Sequence, residues 1–276
     1  MKDRYKRWVW AGTGLAIGLM AIFPRDAAYL FKKAAKLQLY DGLHTIYTRA
    51  TCSEKAKDLD QLVQEHRQYH KEAVRRNIYS IGKKTYMVDT RLLIAIESAE
   101  SDGISCAVSR KYARGPRQLT DETIQRYGVK NPFNIQENRD GSDAFFVDLM
   151  RTYEGRTRLA VASYNAGPKR VYNTITAHKE EVAKRIRDET KKRRKILSGE
   201  DFDMIIYEVV RRYLPIETSD FVSKVMKKYD FLKRAYNENL ERVMPVPRPQ
   251  IRKKTQNNPE FKIAHRPSYL THPGVA

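Results

Sequence analysis

Apolar side chains recur three or four positions apart through Leu30, Phe31, Ala34, Leu37 and Tyr40, and again through Leu59, Leu62, Val63, His66, Tyr69 and Ala73. That spacing keeps them on one face of an α-helix, so residues 27–80 are predicted to be mostly helical. Leu92, Leu93, Ile96 and Ala99 supply the next apolar stripe. Asp89 is placed to cap this helix at its start, and Gly103 to end it in a left-handed turn. The run RLAVASYNAGPKRV at 158–171 predicts a further helix, closed by Gly167 and Pro168. Its small residues Ala160, Ala162 and Ser163 let a neighbouring helix approach closely. No internal repeat interrupts the succession, and the fold class expected is mainly α.

Two terminal segments depart from this pattern. Residues 1–7, MKDRYKR, are basic, whereas residues 8–23, WVWAGTGLAIGLMAIF, carry no charge. A basic flank ahead of an uncharged stretch has the form of an export signal whose positive end stays in the cytoplasm. As a helix, residues 8–23 would rise about 24 Å, short of the roughly 30 Å hydrocarbon core, a gap that mild bilayer thinning closes. Asp26 falls where a small residue would be needed for cleavage after Ala28, so an uncleaved membrane anchor is expected, with a cleaved signal peptide as the alternative. The expected location is the inner membrane with the remainder of the chain in the periplasm, or else secretion to the periplasm. From Met244 the chain reads PVPRPQIRKK and goes on to Pro259, Pro267 and Pro273, a composition that builds an extended basic tail rather than a core. The organisation expected is therefore a signal segment at 1–24, a helical N-terminal segment at 25–85, a folded domain at 86–235 and a basic, proline-rich tail at 236–276.

Composition narrows the partners. With 276 residues of which 41% are hydrophobic, a packed core is available and wholesale disorder is excluded. The net charge of +20 calls for an anionic partner. Outside the cytoplasm that partner is an anionic envelope polymer or lipid rather than a nucleic acid, for which no recognition motif is present. The charge peaks within 174–212, at ETKKRRK (189–195), and is expected to form a solvated face. Cys52 and Cys106 are too few for a disulfide-stapled scaffold or a cysteine-based zinc site. A periplasmic disulfide between them is permitted, but their spacing says nothing of distance, and two buried free thiols are the expectation. His66 and His70, four apart on a helix, lack both an intervening Glu and a third ligand. Solvated histidines are expected there, with no metal.

The candidate chemistry begins with two acids, Glu97 and Glu100, in the last turns of the helix that Asp89 caps. The negative pole of the helix dipole disfavours a carboxylate there, and such repulsion raises a pKa, as a general acid working near neutrality requires. Both acids exposed and paired with Arg or Lys is the plainer alternative. Gly115 before Pro116 marks a tight loop, and Gln118 brings a donor and an acceptor beside it. Tyr164 and Asn165 place a phenol and an amide at the end of the small-residue helix.

Order and spacing link these blocks. Glu100-Ser101, then Ala107-Val108-Ser109, then Ala113-Arg114-Gly115 with Gln118, resemble the pattern of the soluble lytic transglycosylase family, which is related to goose-type lysozymes. The resemblance continues through Asn131-Pro132-Phe133 to Asn138 and Gly141, then Tyr164-Asn165-Ala166-Gly167, then Leu214-Pro215-Ile216-Glu217-Thr218 with Phe221-Val222 and Val225. It spans about residues 86–235, and its interval to Ala107 selects Glu100 over Glu97 as the acid. Pro116-Arg117 replaces the family's usual Leu-Met, Phe221 stands where Tyr is common, and the stretch before Leu214 is longer than usual. The first change is expected to put a rigid, charged element where an apolar side chain would meet substrate or core.

The resemblance implies a lysozyme-like catalytic domain and cleavage of the MurNAc-β-1,4-GlcNAc bond of peptidoglycan glycan strands, leaving a 1,6-anhydromuramoyl end. It implies Glu100 as catalytic acid and base. Ser101 would support the acid, Gln118, Tyr164 and Asn165 would hold the sugar, and Glu217 would line the groove or pair with a base. No metal or cofactor is called for. Other envelope proteins are possible partners of the tail. A hydrolytic muramidase using Asp102 and a catalytically weak glycan-binding scaffold are the alternatives.

Overall fold

Asp89 accepts the backbone N–H of Arg91 at 2.9 Å and so starts the helix around which the molecule is organised. The computed structural model describes residue 45 and residues 48–73, 78–81, 84–193 and 197–236. The expectations for residues 1–44, including the uncharged stretch at 8–23, and for the tail beyond 236 lie outside the described residues. Among the described residues no helix is long and apolar enough to cross a membrane.

The order runs α1 (Leu59–Ala73), β1 (Ile78–Ile81), β2 (Lys84–Met87), α2 (Thr90–Glu100), α3 (Asp121–Arg126), α4 (Ile135–Thr152), α5 (Thr157–Ala166), α6 (Pro168–Ala177), α7 (Lys179–Arg193) and α8 (Gly199–Val210). A 3₁₀ turn (Arg211–Tyr213) then leads into α9 (Ile216–Ala235). The fold is mainly α, as expected. The helical reading of 27–80 fails at 52–58, which forms no regular element, and from 78 on, where β1 and β2 pair antiparallel, Ile78 opposite Met87 and Ile81 opposite Lys84. The segment is rich in Ile, Tyr and Thr, which suit a pleated surface.

Helix α2 is buried almost all round: Leu92, Leu93, Ile94, Ala95 and Ile96 are each at most 2% exposed. Each Leu or Ile so buried stabilises the fold by roughly 1.5–3 kcal/mol. Leu62 and Val63 of α1, Leu159–Ala162 of α5, and Val222 and Val225 of α9 belong to the same core. The small residues of α5 do let its neighbours close in: Ala160, Val161 and Ala162 are fully buried. α9 lies along α2 and is pinned to both of its ends. The Tyr229 hydroxyl donates to the cap carboxylate of Asp89 at 2.9 Å. At the other end Lys228 donates to the Ser98 carbonyl at 3.1 Å, and Lys224 to that of Ala99 at 2.9 Å. These ammonium groups satisfy carbonyls that a helix C-terminus otherwise leaves open.

The helix stops at Glu100 with Ser101 as its C-cap, three residues before the expected Gly103. The chain turns through Asp102 and Gly103, both at positive φ. The charged stretch divides in two. α7 carries its charges on its outer face, as expected of a solvated face, except for Glu189, which is buried and pairs with Arg185 and Arg193, whereas α8 buries Ile205, Ile206, Val209 and Val210.

The expectation of free thiols is overturned, because Cys52 and Cys106 form a disulfide with Cα atoms 5.6 Å apart across 54 residues of sequence. Closing a loop of that length stabilises a chain by about 4 kcal/mol in the chain-entropy account. The bond ties the segment before α1 to the loop after α2. Glu54 reinforces the junction by accepting from the Ser105 N–H at 2.8 Å and its hydroxyl at 2.6 Å.

Candidate active site

Glu100 ends α2, half-buried, where the loop at 113–118, the last turn of α5 and the start of α9 converge. Burial pushes its carboxyl up to about 8. The Lys224 ammonium opposes that rise and the Glu217 carboxylate adds to it. The sequence attributed the expected rise to the helix dipole. The structure gives that part to desolvation, which disfavours the charged form, while Lys224 and Lys228 offset the dipole.

The loop is a tight hairpin. Arg114 and Leu119 exchange both backbone bonds, at 2.9 and 3.0 Å, and the Gln118 N–H reaches the Gly115 carbonyl at 3.1 Å. Gly115 has φ +77, and a Cβ there would lie 2.1 Å from the Pro132 carbonyl oxygen, so only glycine fits. Gln118 also takes a left-handed φ of 50, a conformation that costs a non-glycine residue about 1–3 kcal/mol and persists only where its surroundings hold it. Those surroundings bond each carbonyl from Arg114 to Arg117. Asn138 donates to that of Arg114 at 3.0 Å, and the Gln118 side chain to that of Gly115 at 2.8 Å. Ser101 donates to that of Pro116 at 2.6 Å, and Tyr164 to that of Arg117 at 2.8 Å.

These bonds revise the roles expected of several residues. Ser101 joins the end of the acid's helix to the loop, supporting Glu100 through the backbone. Tyr164 spends its hydroxyl hydrogen on the loop, and its oxygen also meets the Ser142 hydroxyl. Its ring sits 5.3 Å from that of Phe145, and burial together with the nearby Glu100 charge holds its phenol above the ordinary range. Gln118 commits its amide hydrogens to the Gly115 and Ala107 carbonyls. Asn165 accepts from the Thr218 hydroxyl at 2.9 Å, which links α5 to α9. Glu217 is exposed and pairs with Lys111 at 3.0 Å, the second of the two roles expected of it. Glu100, Ser101, Gln118, Tyr164, Asn165 and Glu217 thus surround one place, although three of them also hold the backbone that shapes it.

Arg117 brings the largest correction. Its side chain does not present a charge to the groove. It turns inward, is 1% exposed, and reaches Glu97 at 3.1 Å, the Ser142 hydroxyl at 2.7 Å and the Asp143 carboxylate. Glu97 is itself fully buried. Arg139 grips it at 2.6 and 2.9 Å, and His66 lies 3.0 Å away. Burial opposes ionisation of Glu97, but the hydrogen bonds from His66 and Arg139 and the Arg139 charge prevail and hold it well below the usual carboxylate range. Burial pulls His66 down to about 3, so near neutrality it is a neutral imidazole donating to Glu97.

His66 is therefore no solvated histidine: α1 lays it against α2. The side chain of His70 lies outside the described residues. Among the described residues no cluster of three or more His, Cys, Asp or Glu could hold a metal. The charged cluster was not foreseen. Glu97 follows Leu93 by four positions and so shares its helix face, but Glu100 shares that face too, so the sequence did not distinguish the buried pair from a solvated acid.

Residues 76–186 match the family model described as the Transglycosylase SLT domain. Among solved structures, an inactive mutant of the lytic transglycosylase Slt from Pseudomonas aeruginosa is similar at 22% identity and a TM-score of 0.45. The match covers 75% of this chain and 30% of that one.

Proposed function

We propose that this protein is a peptidoglycan lytic transglycosylase that cleaves the MurNAc-β-1,4-GlcNAc bond and leaves a 1,6-anhydromuramoyl end. The observation that carries the reading is the half-buried Glu100, whose carboxyl stays protonated up to about pH 8, beside Tyr164 and Gln118. A protonated carboxyl donates to the bridging oxygen as the bond to C1 breaks, freeing the 4-hydroxyl of the leaving sugar. The resulting carboxylate takes the proton of the muramoyl C6 hydroxyl while that oxygen closes on C1. Glu100 ends protonated again and no water is consumed.

Hydrolytic glycosidases ordinarily pair two carboxylates. Here Asp102 accepts from Ser98 at 3.1 Å and from Lys228 at 3.2 Å, and Glu217 is paired with Lys111. These engagements favour the route with one carboxylate over the muramidase reading. Mass spectrometry of muropeptides released from sacculi by the purified protein decides between them. Products lighter than reducing-end muropeptides by one water are expected, and reducing ends would replace the lyase with a hydrolase.

We place the domain in the periplasm, held at the inner membrane by residues 8–23. The Cys52–Cys106 bond supports that compartment, because disulfides persist where the surroundings are oxidising. Thiol labelling of the denatured, unreduced chain taken straight from cells is expected to modify neither cysteine. Labelling of both would move the protein to a reducing compartment.

A further inference from the structure

The geometry points to Arg117 as the positioning residue of the site: a guanidinium buried beneath the loop clamps it to the helix that carries Glu100. The backbone of Arg117 belongs to the loop, its N–H donating to Asn138 Oδ1 at 3.1 Å and its carbonyl accepting the Tyr164 hydroxyl at 2.8 Å. Its side chain crosses to α2 through Glu97 at 3.1 Å, one turn before Glu100, and to α4 through Ser142 and Asp143. One residue thereby fixes the peptide that holds Tyr164, the neighbour that carries Gln118, and their distance from the acid.

The buried part of the cluster is balanced in charge, Arg117 and Arg139 facing Glu97 and Asp143. At the half-exposed edge Glu65 meets Arg139 at 3.0 Å and is itself paired with Lys57 at 2.8 Å. A buried ion pair contributes little net stability beside a well-packed apolar replacement, whereas its directional bonds can specify one arrangement. The family's usual Met at this position would fill the space but bind to nothing in particular. The replacement thus exchanges an apolar plug for a directional tie, with the loop above it taking the left-handed turn at Gln118. The inference uses the transglycosylase reading only for its catalytic readout.

The test uses the full-length protein and two variants. Arg117→Met with Asp143→Asn removes one cation and one anion together, leaving Glu97 with Arg139 and His66. Arg117→Lys keeps the charge without the fork. Each is measured for kcat and KM on soluble glycan strands, for thermal unfolding, and for hydrogen exchange at the Gly115 and Gln118 backbone amides. Misplacement of catalytic groups by about 1 Å costs about 10²-fold. The double variant is therefore expected to lose about that much kcat with KM little changed, and its loop amides to lose protection. Arg117→Lys is expected to fall between it and the wild type. If the double variant does not fold, Arg117→Lys alone decides by the same readouts. A lower unfolding temperature with kcat and loop protection unchanged would mean that Arg117 is merely structural, and the proposal falls. If the wild-type protein cleaves nothing, the transglycosylase reading fails on its own. Loop protection then decides the fate of Arg117: its loss in the variants upholds the clamp, and its retention ends it.

Discussion

Replacing Glu100 by Gln is expected to abolish glycan cleavage while leaving a folded and more stable protein. Loss of a general acid costs roughly 10²–10⁴ in rate. The effect should lie at the upper end here, because one carboxyl performs both proton transfers. The stability change follows from linkage. The folded-state pKa of Glu100 is raised from 4.5 to about 8, so the native state holds this proton more tightly than the unfolded chain. That contribution is complete below pH 4.5 and is lost as pH rises towards 8. The Gln variant carries no charge to bury. Its unfolding midpoint should exceed that of the wild type by a margin that widens between those two values and then levels off. A midpoint difference that stays constant with pH would show that Glu100 is not buried as an acid. The activity of the wild type should decline as pH rises through about 8, when the acid has lost its proton.

Glu97→Gln is expected to behave in the opposite way, destabilising the fold without removing the acid. It leaves Arg117 and Arg139 buried around a neutral amide, and breaking one side of a buried ion pair costs about 3–5 kcal/mol. The midpoint of urea unfolding should fall with little change in slope. Glu97 is held well below its usual value of 4.5, so it stabilises the native state above pH 4.5 and ceases to as pH falls through its folded value. The gap between wild type and variant should therefore narrow on acidification below 4.5. His66 adds a slope of the same sign that both proteins share. Neutral in the fold down to about 3, against an ordinary 6.5, it weakens the native state as pH falls across that window. While folded, the Glu97 variant should still cleave glycan well above the level of the Glu100 variant. The reverse order of activities would move the catalytic acid one helical turn back.

Much of this was legible in the chain. The start of α2 at Thr90 follows from Asp89, a local bond between a side chain and the peptide two residues on. The burial of Ala160 and Ala162, and the closure of α5 at Gly167, where φ is +86, are written in residue size and in the absence of a Cβ. The choice of Glu100 over Glu97 rested on an interval that the family resemblance supplies; Glu97 lies in a buried ion cluster, and Glu100 ends the helix with its carboxyl pushed up by burial. Each of these properties is local, with periodicity, caps and tight turns all set within a few residues.

The remainder depended on contacts between distant segments. Residues 78–81 pair with 84–87 as antiparallel strands because pairing overrode a helical reading. Cys52 meets Cys106 because the strand of chain before α1 is laid against the loop after α2, a proximity across 54 residues that no spacing encodes. Arg117 read as a charge offered to the groove and His66 as one offered to water. Both are buried, because α1, α2 and α4 bring Glu97, Asp143 and Ser142 to meet them. The sequence by itself determined where α2 begins and where α5 closes, both set by residues a few positions apart. Only the tertiary structure decided which charges are solvated and which hold the site together, since burial and pairing depend on neighbours that the chain brings together only by folding.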